Sequence, residues 1–312
     1  MRHIEASRNN SQNKLRDLRE ALKTQDDSFI IVVGGSIARL EASEESDIDY
    51  FFFGENDEGL ERAKKHIENL SDAIKNIVGK APSIEGAFGQ DESETLTQLI
   101  ANIGGNDDGN KKITRRILFL LEGAWLTSAD KVEVFRREVL NRYVSPVIEN
   151  RQLCRFLLND IIRYYRTICV DFEFKTVEGG KSWGLRYIKL RFSRQLLYFS
   201  GLIAVAETVD MPREEKITRL LSLMQKSPLE RIEEVCGKDK VLEAFHLYDY
   251  FLESISDPNL REELDSITLD PNTRTDRFNQ LRTKSKLFTV ELSKILRSKY
   301  PADHLIHMAS IF

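Results

Sequence analysis

Hydrophobic and polar positions follow two different patterns along this chain. In the first part, the apolar runs at residues 29–33 and 48–53 have the length of buried β-strands and lie among segments with helical spacing. From about residue 145 the pattern is helical to the end, and prolines fall at or between the edges of the predicted helices. The pattern therefore predicts a mixed α and β region over residues 1–144 and an all-α region over residues 145–312.

Helical spacing also defines the individual elements. It predicts an amphipathic helix over residues 5–24, with Leu15, Leu18 and Leu22 on its apolar face. Residues 111–126 begin basic and become strongly apolar, and periodicity leaves open whether they form a helix alone or a helix that ends in a strand. The other predicted helices are residues 36–40, 61–78, 130–141, 149–169, 183–209, 213–225, 229–236, 238–255 and 277–298.

The connection between the two predicted strands carries residues suited to phosphate chemistry. The first strand is followed by Gly34, Gly35 and Ser36, and the second begins around Asp47 and Asp49. Because side chains alternate along a strand, both carboxylates are expected on one face. Two carboxylates with phosphate oxygens suit Mg²⁺, and such a site can hold two ions. Glycines let the backbone approach a phosphate, and the serine adds a hydroxyl and N–H groups.

These motifs are informative mainly in combination. A pair of alternating aspartates or a Gly-Gly-Ser turn alone occurs in many surface loops, and a tight turn beside a solvated acidic strand end is the alternative interpretation. Buried strands on both sides and the short gap between the motifs favour a magnesium–nucleotide site. Arg39, one helical turn after the glycines, is predicted to reach the same phosphates.

The stretch GGSIARLEASEESDIDYFFF resembles the signature of the nucleotidyltransferase superfamily that includes DNA polymerase β. Within it, the stretch most resembles the branch of the uridylyltransferase that modifies nitrogen-regulatory proteins and its uncharacterised bacterial relatives. The segments NDIIRYYRTICVDFEFK and KSWGLRYIKLRFSRQLLYFSGL are similar to the helical domain of those relatives. The resemblance covers residues 28–55 and 150–205.

The resemblance implies an α+β fold and an activity. A nucleotidyltransferase domain with a small mixed sheet and flanking helices is expected over residues 1–144, followed by a helical substrate- or nucleotide-binding domain over residues 145–312. The implied reaction is Mg²⁺-dependent transfer of a nucleoside monophosphate from an NTP to a hydroxyl of a protein or small molecule, with release of pyrophosphate. Two alternatives stay open: a nucleotide-binding sensor without catalysis, and a synthase of a nucleotide second messenger.

Superfamily members usually carry a third carboxylate on a later strand, as a metal ligand or general base. Glu122 is the predicted third carboxylate, because an acid inside the apolar run LFLLEGAW needs a partner or a function. A structural salt bridge with Arg115 or Arg116 is a nearly equal alternative. Weaker candidates lie in segments that look like exposed loops: Asp91, Glu92, Asp107 and Asp108.

The helical half supplies a second set of candidate binding residues. Lys181, Arg186 and Lys189 belong to a basic, aromatic-rich segment and are predicted to contact the triphosphate or an anionic acceptor. The alternative is a packed helix pair whose long cationic side chains extend to solvent.

Composition and charge indicate which partners and which cellular compartment to expect. The net charge of −4 argues against broad nucleic-acid binding, and no segment is apolar enough to span a membrane. The first residues, MRHIEASRNNSQNK, lack the apolar core of a secretory signal, and three widely spaced cysteines are typical of free buried thiols. A cytoplasmic protein is expected.

Overall fold

The computed structural model describes residues 1–44, 46–79, 94–180 and 182–310. Within them, the strands are β1 (Phe29–Gly34), β2 (Asp49–Gly54), β3 (Glu94–Thr95) and β4 (Ala124–Trp125). The helices are α1 (Arg2–Ala21), α2 (Gly35–Ala38), α3 (Asp57–Asn69), α4 (Ser71–Val78), α5 (Leu96–Ile100), α6 (Asn110–Leu121), α7 (Ala129–Tyr143), α8 (Arg155–Val177), α9 (Gly184–Lys189), α10 (Gln195–Glu207), α11 (Arg213–Met224), α12 (Pro228–Cys236), α13 (Lys238–Ser256), α14 (Pro258–Ser266), α15 (Asp276–Lys299) and α16 (Leu305–Ala309). A π-helical turn (Leu190–Arg194) joins α9 to α10, and a 3₁₀ turn (Pro271–Thr273) precedes α15.

The four strands form one mixed sheet in the order β3-β2-β1-β4. β1 is antiparallel to both β2 and β4, whereas β2 and β3 are parallel. The long strands β1 and β2 pair along their whole length, from Phe29 opposite Gly54 to Gly34 opposite Asp49. The end of β1 and the start of β2 therefore lie side by side at one end of the sheet, which is where the glycines and aspartates meet.

Side chains alternate along the two long strands, and the core around the sheet therefore consists of two groups of apolar residues, one on each face. Phe29, Ile31 and Val33 of β1 share a hydrophobic cluster with apolar residues of α1, α3 and α4. The cluster includes the predicted stripe, Leu15 and Leu18 of α1 and Leu22 directly after its end. Phe51 and Phe53 of β2 instead form edge-to-face ring pairs with Phe119 of α6, at centroid distances of 6.2 and 5.1 Å. Burial of every residue of β1 follows from its central place in the sheet.

The predicted fold class is confirmed: a small mixed sheet with flanking helices early in the chain precedes an all-helical region. Of the two possibilities for residues 111–126, the structure shows the second, a helix, α6, followed by a short strand, β4. The predicted helix over residues 61–78 is interrupted at Leu70, which separates α3 from α4. Helix α14 received no predicted bounds, because only Leu260 and Leu264 are buried on it, too few apolar positions for a clear period.

Two compact units divide the described chain, and neither is one continuous segment. The first comprises Ala6–Leu157 and Thr208–Ser227 and contains the sheet. The second comprises Met1–Glu5, Leu158–Glu207 and Pro228–Phe312 and is helical, with a core in which Phe192 stacks on Phe251 at 4.6 Å. The functional division between residues 144 and 145 stays a prediction.

Two predictions from composition can be compared with the described residues. None of their helices combines the length and apolar character that a membrane span requires. Cys154, Cys169 and Cys236 are free thiols, as predicted, and the first and last are buried while Cys169 is partly exposed. Burial raises the pKa of the Cys236 thiol to about 11, so it stays protonated and weakly reactive near neutral pH.

Candidate functional site

The glycine turn after β1 adopts a conformation that only glycine fits well. Gly35 has φ of +68°, in the left-handed region that L-residues rarely adopt. A Cβ atom on Gly35 would lie 2.6 Å from Oδ2 of Asp49, well inside van der Waals contact. The turn therefore packs directly against the Asp49 carboxylate. The sequence predicted that these two residues meet, and the pairing of Gly34 with Asp49 across β1 and β2 brings them together.

The two predicted metal ligands lie at the start of β2. Asp49 is its first residue and is partly exposed, Asp47 is exposed in the preceding segment, and Ile48 between them is buried in the core. This alternation matches the predicted strand period. Among the described residues, no group of three or more His, Cys, Asp or Glu side chains could hold a metal ion. Two carboxylates fit Mg²⁺, which takes one or two carboxylate ligands and completes its coordination shell with water and phosphate oxygens. The glycines beside them have no Cβ atoms, so a phosphate can approach the backbone of the turn.

Glu122 follows α6, and its side chain is directed at the glycine turn. It is buried, with Oε1 accepting the N–H of Gly35 at 3.0 Å and Oε2 paired with Nη1 of Arg39 at 2.5 Å. Arg39 is also buried, and its Nε donates to Glu41 at 3.0 Å. The Arg39 guanidinium is thus held by two carboxylates inside the protein. Its predicted contact with phosphates and the predicted catalytic role of Glu122 both stay predictions, and this geometry favours a supporting role for each.

The salt-bridge alternative for Glu122 named the wrong arginines. Arg115 pairs with Glu94 at 3.1 Å, and Arg116 pairs with Asp108 at 2.6 Å, so both cations are used elsewhere. Asp108 is buried and does not lie in an exposed loop as expected. The weaker candidates Asp91 and Glu92 lie outside the described residues.

Comparison with known protein families bears directly on this geometry. A family model described as a nucleotidyltransferase domain matches residues 15–85, which include β1, the glycine turn, both aspartates and β2. This part of the chain is similar to a nucleotidyltransferase domain. A comparison with curated proteins found no match. The family match supports the superfamily and, in general terms, nucleotide transfer from an NTP, while the resemblance to the uridylyltransferase branch stays a prediction.

Ser36, the last member of the glycine-serine motif, lies in α2, within the matched residues, and is partly exposed. Its carbonyl accepts the N–H of Glu41 at 2.8 Å, which folds the chain back after α2. Ser36 thus lies in the first turn of a short helix, where the sequence predicted that a helix begins. Contact between its hydroxyl and a phosphate stays a prediction.

Helix α1 holds the segment that leads from the glycine turn towards Asp47. The N–H of Ala42 donates to Oγ of Ser11 at 2.9 Å, and the carbonyl of Ala42 accepts from Nδ2 of Asn10 at 2.9 Å. Lys14 adds a bond from Nζ to the carbonyl of Ser43 at 3.3 Å. These α1 residues precede the start of the family match at residue 15. Sequence reasoning considered only the leucine stripe of α1 and missed this polar one, although Asn10 and Ser11 precede Lys14 by four and three residues, the spacings that mark a shared helix side.

We expect Ser11→Ala to destabilise the domain by about 1–3 kcal/mol, because the buried N–H of Ala42 loses its acceptor. Chemical denaturation of the full chain measures this loss. Asn13→Ala, at an exposed position of the same helix, is the matched control and should change the free energy of unfolding by less than about 0.5 kcal/mol. Equal stability of the two variants would contradict the assigned role of Ser11.

The predicted cations of the helical half belong to the other compact unit. Arg186 is exposed on α9, and Lys189, the last residue of α9, is partly exposed. Lys181 lies outside the described residues. A π-helical turn follows Lys189 directly, and such turns are frequent at functional sites. A role of these cations in binding triphosphate or acceptor stays a prediction.

Proposed function

We propose that this protein is a Mg²⁺-dependent nucleotidyltransferase that moves a nucleoside monophosphate from an NTP to a hydroxyl of a protein or small molecule. The observation that carries the proposal is the packing of the Asp49 carboxylate against Gly35 at the paired ends of β1 and β2. This packing joins a predicted metal ligand to a predicted phosphate-binding turn. The family match over the same residues supports it.

The proposed reaction gives separate roles to the aspartates and to the glycine-serine turn. The acceptor oxygen forms a bond to the α-phosphorus of the NTP, the bond between that phosphorus and the pyrophosphate oxygen breaks, and the hydroxyl proton passes to a base. Asp47 and Asp49 would hold Mg²⁺, which when bound supplies positive charge that stabilises the attacking and leaving oxygens. Ser36 would contact the phosphates through its hydroxyl, and Gly35, which has no Cβ, would let them approach the backbone of the turn. Glu122 is left out of the reacting groups, because a general base must reach the proton it removes and this carboxylate is enclosed by Gly35 and Arg39.

Selection of the acceptor is assigned to the helical half. Exposed cations such as Arg186 suit an anionic acceptor. A protein acceptor is proposed on the predicted resemblance to the branch of the uridylyltransferase that modifies nitrogen-regulatory proteins.

The proposal is tested with the full chain, Mg²⁺ and each NTP labelled at the α-phosphate, with and without cell extract. Transfer of label together with release of pyrophosphate, both lost in Asp47→Ala, is the expected result. Folded protein that transfers no label from any NTP would overturn the proposal, and tight NTP binding by calorimetry would then identify a sensor. Label that appears only in new nucleotide products in reactions without extract would also overturn it, by showing a nucleotide acceptor.

A further inference from the structure

We infer that Glu122 and Arg39 form a positioning pair that fixes the glycine turn against Asp49, so that Glu122 supports nucleotide binding through Gly35 and contacts neither metal nor substrate. The inference rests on the proposed function, because it assigns the turn and Asp49 to the nucleotide site. It replaces the predicted catalytic role of Glu122 and the predicted phosphate contact of Arg39 with one structural task.

Both oxygens of the Glu122 carboxylate are used inside the protein. Its side chain has 0% exposure, and each oxygen has a donor, the N–H of Gly35 for Oε1 and Nη1 of Arg39 for Oε2. A buried carboxylate remains charged only when it is paired and hydrogen-bonded, and Arg39 supplies the opposite charge. The N–H of Gly35 is also committed by this bond. A phosphate must therefore be bound by other groups of the turn.

The glycine turn lies between two carboxylates, those of Glu122 and Asp49. A Cβ on Gly34 would lie 3.3 Å from Oε1 of Glu122, and a Cβ on Gly35 would lie 2.6 Å from Oδ2 of Asp49. The turn is thus in close contact with both acids. Two carboxylates at one turn repel each other unless a cation compensates one of them. Arg39 does so for Glu122, inside the protein.

The Glu122–Arg39 pair also restrains the chain that follows the turn. Besides Glu122, Arg39 binds Glu41, whose N–H donates to the carbonyl of Ser36 at 2.8 Å. Between these anchors, Leu40 has φ of +61°, a conformation that costs free energy and persists only where the surroundings impose it. The ion pair therefore holds a strained link whose relaxation would move the turn.

A double-mutant cycle tests the inference: Glu122→Gln, Arg39→Gln and the double variant, each in the full chain. Either single variant should raise KM for the NTP about 10-fold or more, because the turn that receives the phosphates loses part of its support. The double variant should be no worse than the more affected single one, since both substitutions break the same contact. The pH–rate profile should keep its shape in all three, because none of them removes a proton-transfer group.

A second measurement does not depend on activity. Hydrogen exchange of the Gly35 amide in nucleotide-free protein should be at least about 10-fold faster in Glu122→Gln and Arg39→Gln, because the acceptor is weakened or displaced. Glu94→Gln is the matched control for lost stability, because it breaks the buried ion pair between Glu94 of β3 and Arg115 of α6. It should leave the exchange of the Gly35 amide and KM for the NTP unchanged. If wild-type protein shows no transfer, the proposed function fails, while this exchange measurement still decides the positioning inference.

The opposite pattern would overturn the inference. It consists of unchanged Gly35 exchange, a Glu122→Gln variant whose kcat falls about 10³-fold with an altered pH profile, and an Arg39→Gln variant close to wild type. That pattern identifies Glu122 as a reacting group that acts independently of Arg39.

Discussion

Asp49→Asn is expected to lower the rate of pyrophosphate release by about 10³-fold at saturating NTP and Mg²⁺. The substitution keeps the shape of the side chain, so the contact with Gly35 survives, but it removes the anionic oxygen that would bind the metal. Loss of such a ligand costs several kcal/mol of transition-state stabilisation, and about 4 kcal/mol corresponds to 10³-fold in rate. Single-turnover release of labelled pyrophosphate measures the effect.

The control for this prediction is Asp72→Asn, the same chemical change at an exposed position in the first turn of α4. It should transfer nucleotide at the wild-type rate. Circular dichroism and the unfolding midpoint of Asp49→Asn should stay close to those of wild type, because the change is isosteric. A folded Asp49→Asn protein whose rate lies within about threefold of wild type would remove Asp49 from the metal site.

Local patterns account for the parts of the site that the sequence predicts well. Four consecutive apolar residues from Ile30 lead into the glycine turn, and the alternation around Ile48 places a carboxylate on each side of a buried residue. Both features depend on neighbours within a few positions, which is the range over which strand period and turn chemistry act. The approach of Gly35 to Asp49 then follows from the antiparallel pairing of two adjacent strands.

Contacts across long sequence separations could not be predicted in the same way. Glu122 and Arg39 are 83 residues apart and meet only because β4, two residues long, pairs with β1 beyond the end of α6. The sequence instead favoured Arg115 and Arg116, which are close in the chain but are carried by α6 to Glu94 and Asp108. Nothing in the local pattern around Glu122 distinguishes these partners.

The π-helical turn at Leu190–Arg194 was missed for a different physical reason. A π turn inserts one residue into a helix and leaves the helical spacing on each side nearly intact, so residues 183–209 were predicted as one helix. The structure divides that segment into α9, the turn and α10. Periodicity detects a helix here and does not detect the change in its winding.

Gly35→Ala is the second large effect that we expect, with a loss of transfer activity on the order of 10²-fold or more. An alanine at φ of +68° costs roughly 1–2 kcal/mol, and its Cβ would occupy the space now filled by Oδ2 of Asp49, 2.6 Å away. The carboxylate must move, and displacement of a reacting group by about 1 Å can cost 10²-fold in rate. Rates of pyrophosphate release as a function of Mg²⁺ concentration measure the loss, and the half-saturating Mg²⁺ concentration should rise.

Gly79→Ala separates the two causes of that loss. Gly79 has φ of +83°, and a Cβ there would meet no atom within 4 Å. Both alanines therefore share the backbone strain, and only Gly35→Ala adds the collision with Asp49. We expect similar losses in the free energy of unfolding from strain, but wild-type activity and Mg²⁺ dependence for Gly79→Ala. If Gly35→Ala also keeps wild-type activity, the packing of the turn against Asp49 is not what positions the metal ligand. If Gly79→Ala loses as much activity, strain alone accounts for the effect, since that is all the two variants share.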